Sequence, residues 1–156
     1  MSGDDYTFTV LTSHASTWFL ASQLTCGGLA ATVVGTAGDD TLSGTAGDDV
    51  IWAGTGDDVV DGRGGDDVIC LGPGDDEAHG GRGRDRIFGN AGADTIFGGA
   101  RRDVLIGGGG DDTLWGGGGR RDRLNGGRGV DNLDGGPGGH DRCTLGEFYA
   151  SCEVIV

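Results

Sequence analysis

The sequence predicts an all-β protein in which very short parallel strands stack into a solenoid. Three observations support this fold class. A nine-residue unit repeats twelve times between Gly35 and Thr144, its sixth position is always aspartate, and its eighth position carries one apolar residue. A fixed period of this length is typical of repeat architectures, in which each unit packs mainly against its neighbours.

The residues before the repeats, 1–34, are expected to form an N-terminal capping and covering segment. Residues 26–34 keep the phase of the repeat and place Val33 at the apolar position, but Ala31 stands where aspartate is expected. Because the ends of a solenoid must cover its core, we interpret residues 26–34 as a degenerate capping unit. Residues 1–34 contain neither Arg nor Lys, which argues against a secretory signal peptide in the sequence as written.

Each repeat divides into a glycine-rich turn and a three-residue strand. The fourth position is glycine in eleven of the twelve units, and Arg101 is the exception. Glycine permits positive φ and close backbone approach, so such a turn can direct several carbonyl groups toward one point. Neighbouring strand residues face opposite sides, so the eighth position should point inward and the seventh and ninth outward. The predicted inward residues are Leu42, Ile51, Val60, Ile69, Ala78, Ile87, Ile96, Leu105, Leu114, Leu124, Leu133 and Cys143.

The sixth-position aspartates are predicted to bind a cation. Carboxylates and backbone carbonyls together form an all-oxygen site, and a flexible shell of many oxygens suits Ca²⁺ better than Mg²⁺. Eighteen of the 25 acidic residues occupy fifth or sixth positions, and the net charge of −14 argues against a nucleic-acid partner. The sixth-position residues are Asp40, Asp49, Asp58, Asp67, Asp76, Asp85, Asp94, Asp103, Asp112, Asp122, Asp131 and Asp141.

A flexible Gly/Asp-rich linker is the alternative interpretation of this composition. Such a linker does not require aspartate and an apolar residue to keep a constant phase from Gly35 to Thr144, and this sequence keeps it. The constant phase therefore favours the stacked solenoid over the linker.

The unit matches the pattern Gly-Gly-x-Gly-x-Asp-x-U-x, in which U is a large aliphatic residue, over about 70% of the chain. In this respect the chain resembles the RTX, or haemolysin-type, calcium-binding repeat proteins. The resemblance implies a right-handed parallel β-roll, a β-solenoid of about six turns with two repeats per turn and calcium between stacked loops. The implied division of the chain is an N-terminal segment 1–34, a calcium-binding β-roll 35–144 and a C-terminal cap 145–156.

The resemblance also implies which atoms would hold calcium. In each gap, one loop would supply the carbonyls of its second and fourth positions and its aspartate. The loop one turn later would supply the carbonyls of its first and third positions and its aspartate. Carried over to this chain, three gaps would combine Thr36, Gly38 and Asp40 with Ala53, Thr55 and Asp58; Gly54, Gly56 and Asp58 with Leu71, Pro73 and Asp76; and Thr45, Gly47 and Asp49 with Gly62, Gly64 and Asp67.

Two repeats per turn would place the loops of odd and even repeats on opposite edges, here called the odd edge and the even edge. Six loops on each edge leave five gaps, so ten calcium sites are the maximum. The even repeats carry both one-residue insertions, and arginines accumulate in their loops, at Arg84, Arg101, Arg102, Arg120 and Arg121. We therefore expect calcium along the odd edge and the first half of the even edge. Gaps around Asp103, Asp122 and Asp141 should lack calcium or be filled by arginine; the open alternative is that these arginines point to solvent.

The outward positions of the even repeats are apolar, and the four cysteines relate to that face. The apolar residues are Val50, Trp52, Val68, Cys70, Phe88, Val104 and Ile106. We expect Tyr6–Leu11, followed by Trp18–Leu20, to cover them, because large exposed apolar patches are normally covered or used. A Cys26–Cys70 disulfide would attach that segment, and Cys143–Cys152 would fix the C-terminal tail. Four cysteines allow three pairings, and a zinc site is less favoured because no C-x-x-C motif is present.

The predicted function is that of a non-enzymatic, secreted scaffold that folds on binding several calcium ions. No G-x-S-x-G context surrounds Ser13, and no H-E-x-x-H motif is present. The longest apolar run is too short for a transmembrane helix. Paired cysteines indicate an extracellular location, and a monomer is expected. The alternative is a calcium-dependent adhesin or surface interaction protein that uses the exposed aromatic and apolar face.

Overall fold

The computed structural model describes residues 24–145 and 148–154, and these residues form strands and turns without a helix. A helix able to span a membrane is accordingly not found among them. Two parallel sheets contain nearly all the strands, and consecutive strands alternate between the two sheets along the chain. The predicted all-β parallel solenoid of about six turns is confirmed.

The strands of the odd repeats and one further C-terminal strand form a seven-stranded sheet, called the odd-repeat sheet. It contains β4 (Thr41–Ser43), β6 (Val59–Asp61), β8 (Glu77–Arg82), β10 (Thr95–Ala100), β12 (Thr113–Gly117), β14 (Asn132–Asp134) and β16 (Phe148–Ala150). Neighbouring strands pair in register with the equivalent residue one turn away, as Ile96 pairs with Ala78 and Leu114. This register places identical repeat positions directly above one another.

The even-repeat sheet has eight strands. They are β3 (Val33–Val34), β5 (Val50–Trp52), β7 (Val68–Pro73), β9 (Arg86–Ala91), β11 (Val104–Gly109), β13 (Arg123–Arg128), β15 (Arg142–Thr144) and β17 (Glu153–Val154). Val33 pairs with Ile51 and packs partly against the core, at the inward position predicted for the degenerate unit 26–34. At the other end, β16 and β17 each extend one of the two sheets by one strand.

Several strands in the middle of the solenoid are longer than the three residues predicted. Strands β7 to β11 and β13 contain six residues, because the pairing continues into the glycines that open the next repeat. Gly81, Gly99 and Gly117, for example, pair across three successive turns. Stacking of equivalent loops thus supplies hydrogen-bond partners that a single repeat lacks.

The core is a column of inward side chains between the two sheets. All predicted inward residues from Ile51 to Cys143 are at most 1% exposed, and Leu42 packs against them from the first turn. Ala53 and Leu71, at the first position of their repeats, are also fully buried in the column. They lie two residues beyond the eighth position of the preceding repeat, so a continuing strand turns them to the same side.

The apolar outer face of the even-repeat sheet is partly covered by a hairpin of β1 (Thr25–Cys26) and β2 (Leu29–Ala30). Cys26 is fully buried and forms the predicted disulfide with Cys70. A Cβ added to Gly27 would lie 3.1 Å from Cγ1 of Val68, which is only 7% exposed. The second predicted disulfide, Cys143–Cys152, is also present.

This hairpin differs from the degenerate repeat predicted for residues 26–34, of which only Val33 and Val34 join one of the two parallel sheets. The turn residues Gly27 and Gly28 have φ of 59° and 86°, which suits a two-residue turn of the primed type. The adjacent glycines are therefore a hairpin signal in the sequence. A repeat was predicted instead because residues 26–34 also keep the phase of the repeat. The segments Tyr6–Leu11 and Trp18–Leu20, predicted to cover the same face, lie outside the described residues.

Candidate metal centres at the two loop edges

An unbroken ladder of aspartates runs along each loop edge. The backbone N–H of each sixth-position aspartate donates to Oδ1 of the aspartate one turn later, as Asp58 does to Asp76 at 2.7 Å. Ten such hydrogen bonds, five on each edge, range from 2.7 to 3.1 Å. The ladder crosses both insertions, where Asp103 donates to Asp122 and Asp122 to Asp141, each at 2.8 Å. The inserted residues are therefore accommodated in the loops without displacing the carboxylates.

The second oxygen of these carboxylates, Oδ2, is buried and has no hydrogen-bond partner in most repeats. The residues concerned are Asp58, Asp67, Asp76, Asp85, Asp94, Asp103, Asp112, Asp122 and Asp131. A buried acceptor without a partner costs free energy, and a buried unpaired charge costs more. A cation at each edge would remove this cost, so the residues present fit a bound metal ion.

Backbone carbonyls lie beside these orphaned oxygens. A Cβ built on Gly62, the first residue of its repeat, would lie 2.7 Å from Oδ2 of Asp67 and 2.7 Å from the carbonyl oxygen of Gly80. A carboxylate oxygen of one loop and a carbonyl oxygen of the next loop therefore lie close to the same position in space. Only glycine fits at this position, because any side chain would occupy the space between the two oxygens.

The same convergence is found in two of the gaps derived from the family pattern. Beside Gly44, Oδ2 of Asp49 and the carbonyl of Gly62 lie 2.9 and 2.8 Å from the position a Cβ would take. Beside Gly35, Oδ2 of Asp40 and the carbonyl of Ala53 converge in the same way.

Several predicted carbonyl ligands, including that of Gly62, also accept backbone hydrogen bonds. Thr36 accepts from the N–H of Thr55 at 3.3 Å, and Leu71 accepts from Gly54 at 3.1 Å. Pro73 accepts from Gly56 at 3.0 Å, and Gly62 accepts from Gly64 at 3.0 Å. A carbonyl oxygen has two lone pairs, so each of these groups retains one for a further partner. No cluster of three His, Cys, Asp or Glu side chains occurs in residues 24–145 and 148–154, so backbone oxygens must complete any site.

The electrostatics of the ladder favour a cation strongly. Burial, reinforced by neighbouring carboxylates, raises the pKa of several aspartates despite the backbone N–H that each accepts. The pKa rises to about 6 for Asp67, Asp76, Asp85, Asp112 and Asp122, to about 7 for Asp94 and to about 8 for Asp103. Without a cation, ionisation of these groups is therefore less favourable in the fold than in water.

The first turn differs from the turns that follow. Oδ2 of Asp40 accepts from the backbone N–H of Thr36 at 2.6 Å and from its hydroxyl at 2.9 Å. Oδ2 of Asp49 accepts the same pair of bonds from Thr45, at 2.6 and 2.9 Å. The backbone bond from Thr45 is the main reason that the pKa of Asp49 lies below its ordinary value. The sequence contained this signal, since only the first two repeats have threonine at the second position.

A second carboxylate ladder was missed by the sequence analysis. On the odd edge, Oδ1 of Asp39 accepts the N–H of Asp57 at 2.9 Å, and Asp57 accepts the N–H of Asp75 at 2.9 Å. On the even edge, Asp48 accepts from Asp66 at 2.8 Å, and Asp66 accepts from Arg84 at 2.9 Å. These fifth-position carboxylates are exposed and connect the outer rims of successive loops.

The loop arginines of the even edge do not fill the cation positions. Oδ2 of Asp103 and of Asp122 remains buried and without a hydrogen-bond partner. Arg102 and Arg121, the neighbouring arginines, are exposed. The arginine-filled expectation is therefore wrong, and the alternative that these side chains face solvent agrees with the structure.

Arg101 has a positive φ, as most of the fourth-position glycines do. Its φ is 81°, and those of Gly92 and Gly110 are 131° and 134°. An arginine can adopt a positive φ only at a free-energy cost, because its Cβ approaches the neighbouring carbonyl. Most fourth positions thus have a positive φ, and arginine adopts one where it replaces glycine.

A parallel solenoid whose loop edges present buried carboxylate oxygens beside backbone carbonyls has the features of a calcium-binding β-roll. The family model of the RTX calcium-binding nonapeptide repeat matches the chain in four copies, at residues 34–69, 72–100, 89–121 and 118–139. These matches cover more than half of the chain, and the chain belongs to this family. No curated protein matches the chain as a relative.

Proposed function

We propose that this protein is a non-enzymatic extracellular scaffold that folds on binding several calcium ions between its stacked loops. The observation that carries the proposal is the series of buried Oδ2 atoms without partners, from Asp58 to Asp131, on both edges. Calcium, when bound, supplies the positive charge and the oxygen coordination that these atoms lack. Membership of the RTX family supports calcium as the cation.

The proposed ligands are the aspartates of the ladder together with backbone carbonyls of two consecutive loops. For each gap, the carbonyls at the second and fourth positions of one loop and at the first and third positions of the next loop remain the proposed donors. The convergence of Asp67 Oδ2 with the carbonyl of Gly80 supports this assignment. The ladder supports as many as ten sites, and occupation is proposed to be lower on the even edge, where Arg101 and two insertions interrupt the loop pattern.

Calcium is proposed to be a condition of folding rather than an addition to a stable fold. The core receives little more than one apolar side chain from each nine-residue repeat, while the many glycines lose much conformational entropy on ordering. The unpaired carboxylates also repel one another within each edge. A cation that binds only the folded chain contributes its binding free energy to folding.

A calcium titration of the metal-free protein tests this proposal. Far-UV circular dichroism should show little β structure in excess EGTA and a cooperative gain of β structure on addition of calcium. Isothermal calorimetry should give several calcium ions per chain. Magnesium at the same concentration is the matched control and should produce little change, since it prefers rigid octahedral sites. A fully folded spectrum in excess EGTA would contradict the proposal.

The two disulfides support the extracellular part of the proposal. Cys26–Cys70 and Cys143–Cys152 are both formed, and disulfides persist in oxidising compartments. Free calcium is also abundant outside cells, where weak sites are filled. Secretion of the full-length protein into the medium, measured with an antibody against the chain, tests the location.

The second candidate function is calcium-dependent attachment to a partner, and one observation favours it. On the outer face of the odd-repeat sheet, the rings of His79, Phe97 and Trp115 stack with centroids 4.6 and 4.7 Å apart. All three residues are partly exposed, and Nε2 of His79 is hydrogen-bonded to Oε1 of Glu77 at 2.8 Å. The test is retention of a partner on the immobilised protein in calcium. Loss of that partner both in EGTA and with Phe97→Ser/Trp115→Ser would support attachment.

A further inference from the structure

The even edge changes from acidic to basic along the solenoid. The residues that directly precede its six ladder aspartates are, in order, Asp48, Asp66, Arg84, Arg102, Arg121 and His140. Ten of the eleven basic residues of the chain belong to even repeats, and all eleven are arginine. A protein of net charge −14 therefore places nearly all of its arginines in the even repeats.

Six of these arginines, together with His140, line two adjoining cavities, called here the arginine groove. The first has a volume of about 480 Å³ and is lined by Arg102, Arg121, Arg123, His140 and Arg142. The second has a volume of about 500 Å³ and is lined by Arg84, Arg102, Arg120, Arg121 and His140. Three residues are common to both cavities, so the groove is continuous across four turns of the even edge.

The guanidinium groups of the groove lack carboxylate partners among the residues that the structure describes. None of the six arginines lies within 4.0 Å of a carboxylate oxygen of those residues. The nearby ladder carboxylates, Asp103 and Asp122, are buried. Six like charges gathered in this way repel one another, so an anionic ligand would lower the energy of this surface.

The loop insertions help to build the groove. Repeat ten contains one residue more than the standard unit, and it brings two adjacent arginines, Arg120 and Arg121, to the rim. Arg121 and His140 have φ of 67° and 65°, a conformation that is unfavourable for residues with a side chain. The chain therefore keeps large basic side chains at positions where glycine would be less strained.

We propose that the arginine groove binds a linear polysaccharide that carries sulfate or carboxylate groups. Arginine binds such oxyanions through two parallel hydrogen bonds. Successive turns present one cationic position about every 4.8 Å, which suits a narrow chain of anionic groups laid along the edge. A stiff DNA duplex fits less well, because it would extend beyond the groove onto Asp48 and Asp66 of the same edge.

The test measures binding of a fluorescein-labelled dextran sulfate oligosaccharide by anisotropy, on the full chain in saturating calcium. The wild-type protein should bind it, and the affinity should fall steeply as the salt concentration rises. Arg102→Gln/Arg121→Gln removes two charges shared by both cavities and should weaken binding by at least about tenfold. A uronate oligosaccharide without sulfate, used as competitor, distinguishes carboxylate from sulfate as the preferred anionic group.

The matched control is Arg63→Gln/Arg128→Gln, which removes the same charge away from the groove. Arg63 also has a positive φ of 69°, so the control includes a strained position like Arg121. The control should bind within about twofold of the wild type, because charges beyond a Debye length are screened. Circular dichroism in calcium verifies that each variant folds, and Arg123→Gln/Arg142→Gln replaces the groove variant if that one does not fold.

Three results would overturn the proposal. The first is absence of binding by the folded wild-type protein at low salt. The second is equal weakening by the groove and control variants, which would indicate general charge attraction. The third is tighter binding of a DNA duplex than of the oligosaccharide, which would assign the groove to nucleic acid.

Discussion

The first turn of the solenoid and the turns that follow carry the same aspartate at the same position but satisfy it differently. In the first turn, the carboxylates of Asp40 and Asp49 each accept a backbone N–H and a hydroxyl from a threonine four residues earlier. From Asp58 to Asp131, the corresponding Oδ2 atoms are buried without a partner, and in the last repeat Oδ2 of Asp141 accepts the backbone N–H of Gly139 at 3.1 Å. The pKa of Asp49 is consequently lowered, chiefly by its backbone hydrogen bond, whereas burial raises the pKa of Asp103 to about 8.

The residue at the second position of the repeat accounts for this difference. In all ten repeats after the first turn that residue has a positive φ, including the non-glycine residues Arg63 and Asn90. Thr36 and Thr45 do not have a positive φ, which is especially unfavourable for β-branched residues. Their N–H and hydroxyl groups consequently reach the carboxylate. The need for a cation thus depends on the second position as well as on the aspartate.

The largest expected effect is on the calcium concentration at the folding midpoint. It is tested with one ladder aspartate from each region. Asp94→Asn should raise the calcium concentration at the folding midpoint by at least about tenfold, because Asp94 lies between two gaps and its Oδ2 has no protein partner. Asp49→Asn, the matched control, should shift the midpoint by about threefold or less, since threonine already satisfies that oxygen. Calcium titrations followed by circular dichroism measure both midpoints. Equal shifts would remove the distinction between the two regions.

The next largest effect is a pH dependence. Lowering the pH should stabilise the metal-free fold, whereas it should weaken calcium binding. The folded metal-free chain binds protons more tightly than the unfolded chain, because burial raises the pKa of Asp94 to about 7 and of Asp103 to about 8. This contribution stabilises the metal-free fold fully below the unfolded pKa of about 3.9 and is lost as the pH rises through 6 to 8. With calcium, protons compete for the same oxygens, so affinity should fall as the pH is lowered.

Circular dichroism in calcium-depleted buffer at pH 8, 6 and 4.5 checks this sign. The metal-free protein should show more β structure at pH 4.5 than at pH 8. Depletion on a chelating resin is preferable to EGTA, which loses calcium affinity in acid. More β structure at pH 8 than at pH 4.5 would show that the ladder carboxylates are not the groups that oppose metal-free folding.

A smaller effect should follow from converting the first turn to the later type. Thr45→Gly removes the hydroxyl that donates to Asp49, and it should cost about 1 kcal/mol of stability and raise the pKa of Asp49. Carboxyl chemical shifts followed by NMR across a pH titration measure that pKa. Thr55→Gly is the control, because Thr55 is exposed and makes no side-chain bond to a ladder aspartate. An unchanged pKa in Thr45→Gly would show that the threonine is not responsible.

The smallest effect concerns the fourth position of the even edge. Arg101→Gly should stabilise the calcium-bound protein by about 0.5 kcal/mol, since glycine adopts φ of 81° without strain but gains entropy in the unfolded chain. Arg102→Gly, at the next residue and without a positive φ, should instead destabilise it by about 0.5 kcal/mol. Thermal unfolding in calcium measures both. Destabilisation by Arg101→Gly would mean that the side chain of Arg101 makes a stabilising contact.

The architecture and part of the site were predictable from the sequence. The inward column from Ile51 to Cys143 follows from the spacing of the repeat and is confirmed. The alternation of odd and even repeats, which the family resemblance implied, and the favoured one of the three possible disulfide pairings are also confirmed. The extended strands were not predicted, because their pairing partners belong to other turns. The Gly27–Gly28 hairpin was not predicted because residues 26–34 also fit the phase of the repeat. The arginine groove was likewise not predicted, since its lining combines side chains from four repeats.

By itself, the sequence determined the period, the phase of the aspartates and the side chains that face inward. These properties are local, because strand alternation and glycine-rich turns act within one repeat. The tertiary structure alone decided which carboxylate oxygens become buried beside a carbonyl of the next loop and where the arginines gather. Those outcomes depend on atoms that other turns supply, 18 or 19 residues along the chain, whereas the threonine that satisfies the first-turn carboxylates is a local signal at the second position. The same aspartate therefore accepts hydrogen bonds from threonine in the first turn and remains open to a cation in the turns above it.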